Sequence, residues 1–159
     1  MCIRDSLIDE AYALARGRDG DFGQEAVDTL VKLIEDHRDD VVVILTGYPD
    51  EMHVLVTSNP GFASRFPKTI EFPDYTDDEL VQIFERLCTQ NRYQCDAAGC
   101  AKLKTFFIAQ PRIRGFGNGR LARNLFEDAV ARQASRLVKL ENPTDEQLLT
   151  LTVDDIPVP

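Results

Sequence analysis

The sequence predicts an α/β layer with parallel strands in its first part and an all-helical unit in its second, divided near Asp74. Three observations carry that expectation. "VVVIL", Val41 to Leu45, is a continuous β-branched run of the kind that fills a strand covered on both faces of a parallel sheet. "FGQEAVDTLVKLIEDH" before it has Ala26, Val27, Leu30, Val31, Leu33 and Ile34 at helical spacing. Strands alternating with helices over short connections give α/β layering, whereas beyond Asp74 the periodicity is helical almost throughout.

The elements follow in order. Leu7-Ile8 reads as the end of a buried strand that delivers two adjacent acids, Asp9 and Glu10, to a sheet edge. The six residues before it, "MCIRDS", would place Arg4, Asp5 and Ser6 inside a buried sheet. Unpaired charge there costs several kcal/mol, roughly, so residues 1–6 are set outside the fold as a non-native leader. That string also resembles adapter read-through at the end of an assembled gene fragment, and the chain is expected to be truncated. After the loop holding Gly20 and Gly23 comes the helix to His37, then the "VVVIL" strand. "TGYPDEM" turns the chain into a short helix from Asp50 to Val56, which "SNPG" breaks. "KTIEF", Lys68 to Phe72, is the next expected strand. The α/β part thus runs over residues 7–73.

Residues 74–159 form the helical part. Thr76 is placed as an N-cap with Glu79 three residues on, a capping box, and Leu80, Ile83, Phe84 and Leu87 share one face. Asp96–Ala109 and Gly119–Leu140 are helical by the same pattern, and the tail from Pro143 holds a short helix and an irregular end.

Composition excludes several classes. With 43% hydrophobic and 28% charged residues the chain is globular, and its formal net charge of −9 argues against a nucleic-acid binder. Its longest apolar run is far too short to cross a bilayer, and no secretory signal is visible. Cys2, Cys88, Cys95 and Cys100 lack metal-ligand spacing and read as reduced cytoplasmic thiols. "GFGNG" lacks the preceding strand of a dinucleotide fingerprint and is a helix start.

The residues that carry chemistry are few. Asp9-Glu10 is a solvated turn or a hydrolytic pair. Thr46 and Tyr48 follow the "VVVIL" strand, where open α/β sheets bind ligands. Arg65 is a surface arginine or reaches a neighbouring subunit's phosphate site. Arg120 in the first turn of a helix opposes the helix dipole and calls for an acidic partner; Arg123 lies one turn on, with Glu127 as its simplest partner.

Taken together, "LIDEAYAL", "FGQEAVDTLVKLIEDH", "VVVILTGYPDEM", "SNPGFASRFPKTIEFPDY" and "GNGRLARNLFEDAVARQASRL" resemble the CbxX/CfqX family of AAA+ ATPases over Leu7 to about Leu140. The resemblance implies the C-terminal half of an AAA+ P-loop NTPase αβα sandwich followed by an all-α lid subdomain. It implies ATP and Mg²⁺ as ligands, Asp9 as the Walker B metal-holding acid and Glu10 as the residue that polarises water. Arg65 becomes an arginine finger, and Arg120 a sensor-2 arginine with Arg123 beside it. Where many AAA+ proteins have Asn as sensor 1, this chain has "TGYP", so Thr46 or Tyr48 serves. The implied parent is a cytoplasmic homo-hexamer that remodels a protein client, without nucleic acid or membrane insertion. As given, the chain lacks the phosphate loop and is expected to bind ATP weakly. The alternatives are a non-hydrolysing interaction module and a DNA-handling relative such as a clamp loader, which the acidic balance disfavours.

Overall fold

The computed structural model describes residues 4–15 and 23–158. It divides into two compact units, residues 1–72 and 73–159. Met1–Ile3, Cys2 among them, and residues 16–22, where the sequence led to the expectation of a loop holding Gly20, lie outside the described residues; Gly23, expected in that loop, begins the first helix.

In the first unit β1 (Arg4–Ile8) pairs in parallel with β2 (Val41–Leu45), in a register that sets Leu7 beside Ile44 and Ile8 beside Leu45. A 3₁₀ turn (Ala11–Ala15) and three helices, α1 (Gly23–Asp36), α2 (Pro49–Thr57) and α3 (Pro60–Arg65), complete it. The core holds Ala11, Val27, Leu55 and Phe62, with Ile8, Leu30, Val31, Leu45 and Met52 packed against it. Each fully buried aliphatic or aromatic side chain there contributes about 1.5–3 kcal/mol.

Five expectations for this unit need correction. Among the described residues β2 is covered on one face only: its residues alternate between half-buried and exposed, and Leu7 and Ile44, paired on the other face, are 67% and 52% exposed. Arg4–Ser6 were set outside the fold, yet they form the first half of β1, paired with Val41–Val43. Asp5 lies on the same open face as Leu7, and Ser6 on the other face is exposed as well, so Asp5 pays no burial penalty among the described residues. Lys68–Phe72 forms no strand. It has no ladder partner among the described residues, and Phe72 is 90% exposed. "SNPG" not only ends α2 but also begins α3. Asn59 caps it by accepting from the N–H groups of Gly61 (2.8 Å) and Phe62 (3.3 Å), and Pro60 takes the first helical position. On α1, Ala26 and Leu33 face solvent rather than the core.

In the second unit α4 (Asp77–Gln90) opens with the expected capping box between Thr76 and Glu79. Leu80 and Phe84 are fully buried and pack with α5 (Ala97–Ile108) and α6 (Asn118–Leu137) around Leu103, Phe107, Ala122, Phe126 and Ala129. Phe84 and Tyr93 both meet the Phe126 ring edge-on, at 5.8 and 5.9 Å between centroids. The tail is less irregular than its sequence suggests. After α7 (Asp145–Leu149), a two-residue strand β4 (Thr150–Leu151) pairs in parallel with β3 (Gln94–Cys95).

Three polar side chains clasp this tail. Gln133, buried on α6, donates to the carbonyls of Gln147, Leu148 and Thr150 at 3.1–3.2 Å. Lys102 on α5 donates to the carbonyls of Val153 and Ile156. Arg136 grips Asp155, which is 1% exposed, through Nε (3.0 Å) and Nη2 (2.8 Å), while the Thr152 N–H and hydroxyl donate to the same carboxylate at 2.8 and 3.0 Å. Burial alone would raise the Asp155 carboxyl, but the Arg136 and Thr152 hydrogen bonds outweigh it and hold it below the usual range.

The stabilisation from Asp155 is therefore complete above the ordinary aspartate range and lost as pH falls through the depressed value. Asp155→Ala leaves the half-buried Arg136 without its carboxylate and the Thr152 donors unpaired, and should cost about 3 kcal/mol in urea unfolding at neutral pH. It should also flatten the acid limb of the stability profile below about pH 4.

Candidate functional site

Parallel register brings the two strand ends side by side, so the residues that follow them meet. The Thr46 N–H donates to the Ile8 carbonyl and the Ala11 N–H to the Thr46 carbonyl, both at 3.0 Å, extending the ladder one step past the strands. Asp9 and Thr46, 37 positions apart, are joined there: the Thr46 hydroxyl donates to Asp9 Oδ1 at 2.6 Å. The Glu10 N–H donates to the same oxygen at 3.0 Å. Among the described residues Asp9 Oδ2 keeps no partner, which leaves a hard anionic oxygen facing the rim.

Glu10 stands beside it in a left-handed conformation, φ 49°. That geometry costs a non-glycine residue about 1–3 kcal/mol and turns the chain sharply off the strand into the 3₁₀ turn. Its carbonyl accepts from the Ala13 N–H at 2.9 Å, and its side chain lies in solvent. Tyr48 stands at the N-cap position of α2 and sets its ring 6.2 Å from that of the buried Tyr12. Asp9, Glu10, Thr46 and Tyr48 thus share one rim.

Arg65 is placed elsewhere in the same unit, on the last residue of α3. Its guanidinium is ion-paired with Glu35 of α1, and Nη1 donates to Ser64 Oγ at 3.2 Å. Nε is buried and has no hydrogen-bond partner among the described residues. The side chain is neither free in solvent nor joined to the acidic pair. Arg120 and Arg123 belong to the second unit, in the first two turns of α6, and both are exposed. Among the described residues Arg123 makes no ion pair with Glu127.

Comparison with known proteins now bears on these residues. A family profile described as "AAA lid domain" matches residues 76–159. Over 155 residues the chain is 40% identical to stage V sporulation protein K of Bacillus subtilis, covering 96% of this chain and 48% of that protein. It is 41% identical over 153 residues to protein CbbX of Cereibacter sphaeroides, covering 94% of this chain and 50% of that one. Similarity to a chloroplastic ribulose bisphosphate carboxylase/oxygenase activase of Cyanidioschyzon merolae is 36% over 153 residues, 94% of this chain and 52% of the relative.

The chain belongs to the CbxX/CfqX family of AAA+ ATPases. It spans about half the length of these relatives. Within the family fold, the first unit is an α/β fragment and the second is the helical lid.

Two features of this AAA+ chain escaped sequence reasoning. Glycine at position 47 is required by close packing: a Cβ there would lie 2.7 Å from both Tyr12 Cδ1 and Met52 Sδ. In the lid, Asn118 begins α6 at φ 44° and fastens the segment before α4, donating to Asp74 Oδ1 at 2.6 Å and accepting from the Tyr75 N–H at 2.9 Å. Arg112 adds its ion pair with Asp77, a hydrogen bond to the Tyr75 carbonyl at 2.7 Å, and a stack 4.2 Å over Phe116. The sequence marked "GFGNG" as a helix start and Asp74 as a boundary, but not that the two segments clasp one another. Elsewhere in the lid, burial pushes the Cys88 thiol up to about 12 and raises Cys95 and Cys100, so these free thiols are poor nucleophiles.

Gly47→Ala should therefore cost about 1–3 kcal/mol by overpacking against Tyr12. The loss should appear as faster hydrogen exchange at the Ala11 and Thr46 amides, with the lid amides unchanged.

Proposed function

We propose that this chain supplies part of an ATP-hydrolysing site assembled between copies of the full-length protein, whose work is to remodel a protein partner. The observation that carries the reading is the Thr46 to Asp9 hydrogen bond at the C-terminal rim of two parallel strands, where open α/β sheets place their ligands.

Asp9 has the chemistry to hold Mg²⁺. Its carboxylate is exposed, one oxygen is oriented by two donors and the other is open. Mg²⁺ is typically held by one or two carboxylates plus waters and substrate phosphates, so a single oriented acid fits. When bound, Mg²⁺ would neutralise charge on the β- and γ-phosphates. Glu10, held at the sharp turn just after Asp9, polarises the attacking water. Thr46 is the better sensor-1 candidate than Tyr48, because its hydroxyl already touches the metal-holding acid while Tyr48 pairs with Tyr12.

Arg65 acts in trans, placing positive charge on the γ-phosphoryl group of the adjacent protomer, a contribution of about 10³–10⁵ in rate where such fingers operate. Arg120, a cation with no acidic residue in the first turn of α6, is suited to report the bound phosphates to the lid, with Arg123 one turn on. The resulting assembly is a homo-hexamer acting on a protein client, in keeping with one relative's name as an activase of another enzyme. Because the phosphate loop is not among these residues, this chain alone binds nucleotide weakly.

In the full-length protein Glu10→Gln should retain ATP binding, read by a fluorescent nucleotide, while steady-state phosphate release falls by about 10²–10⁴-fold. Undiminished turnover would remove the role given to Glu10.

A further inference from the structure

The contacts around Arg65 contain a second functional residue. α1 grips α3 at both ends. At the start of α3, Asn59 Nδ2 donates to Asp28 Oδ1 at 2.8 Å; at its end, Arg65 is ion-paired with Glu35. Asp28 and Glu35 are two helical turns apart on one face of α1, a rise of about 10 Å, close to the length that α3 spans. Between the two clamps Phe62 is fully buried. The six-residue helix has no freedom to rotate about its axis.

We propose that Glu35 is a positioning residue for Arg65, an inference that rests on the trans role given to Arg65 above. Glu35 holds Nη2, Ser64 Oγ accepts from Nη1 at 3.2 Å, and Nε is buried. The guanidinium plane is thereby fixed, and the Nη protons that Glu35 and Ser64 leave unused are what it offers an outside acceptor. The second Glu35 oxygen leans toward Arg38, 3.6 Å away, so the carboxylate sits between two cations and is itself held in place. A side chain as flexible as arginine would otherwise sample many rotamers, few of them directed at a phosphoryl group. Glu35 touches no substrate; it acts through Arg65 alone.

The test uses the full-length protein with Arg65→Ala, Glu35→Gln and Glu35→Asp variants, measuring kcat, KM for ATP and ring size by light scattering. Arg65→Ala should abolish turnover. Glu35→Gln should lower kcat about tenfold at unchanged KM and ring size, because Arg65 meets charge that develops only in the transition state. Glu35→Asp, which keeps the charge, should fall between Glu35→Gln and the parent. If Arg65→Ala is inactive while Glu35→Gln matches or exceeds the parent kcat, Glu35 does not position Arg65 and the inference fails alone. If Arg65→Ala keeps the parent kcat, the trans role of Arg65 fails and takes this inference with it. Should Glu35→Gln disturb assembly, Glu35→Asp decides: lowered kcat at unchanged KM supports the inference, and parental kcat overturns it.

Discussion

The parallel register of two five-residue strands is the constraint on which the rim of Asp9, Glu10 and Thr46 depends. Because Ile8 is level with Leu45, Asp9 and Thr46 emerge together, and a 2.6 Å hydrogen bond forms between residues with no local relationship in the chain. A slip of one residue would turn every side chain of β1 to the opposite face and separate the pair. The strained turn at Glu10 is affordable only because the ladder continues past it through the Ala11 and Thr46 amides. Gly47, with no room for a Cβ beside Tyr12, keeps that extension tight.

The lid solves a different problem. Its helices make an apolar core around Phe84, Leu103 and Phe107, but its tail has little apolar surface to contribute beyond Leu151 and Ile156. Directed polar contacts fasten it instead. Gln133, Lys102 and Arg136 each reach backbone carbonyls of the tail, and Arg136 adds the carboxylate of Asp155. Such contacts are worth most where water is excluded, and they make this part of the lid sensitive to acid in a way that its helical core is not. At the other end of α6, Asn118 and Arg112 tie the segment from Asp74 to Asp77 to the helix that carries Arg120.

What could be read from the sequence divides by the range of the interaction. The Thr76 and Glu79 capping box was legible because it is decided within four residues, as were α4, α5 and α6, whose apolar stripes repeat over several turns. β3 and β4 were not, since two residues carry no period. The "VVVIL" run was legible as a strand, but its coverage was not: in this chain, which spans about half the length of its relatives, the face carrying Val42 and Ile44 is open. The first residues of β1 were missed because Asp5, which looks impossible in a covered sheet, is harmless where its face is open among the described residues. At the rim, the residue types were visible as candidates, whereas the Thr46 to Asp9 bond and the Arg65 to Glu35 pair each depend on tertiary packing across 30 or more positions.

The central claim is that the Asp9 and Glu10 rim of one protomer and Arg65 of another complete a single hydrolytic site. The direct measurement is ATPase activity of rings assembled from a mixture of Glu10→Gln and Arg65→Ala full-length protomers, compared with rings of either variant alone. The account predicts that the mixture recovers activity neither variant has, because some interfaces then pair an intact Glu10 with an intact Arg65. A mixture as inactive as its components, with assembly intact, would contradict it.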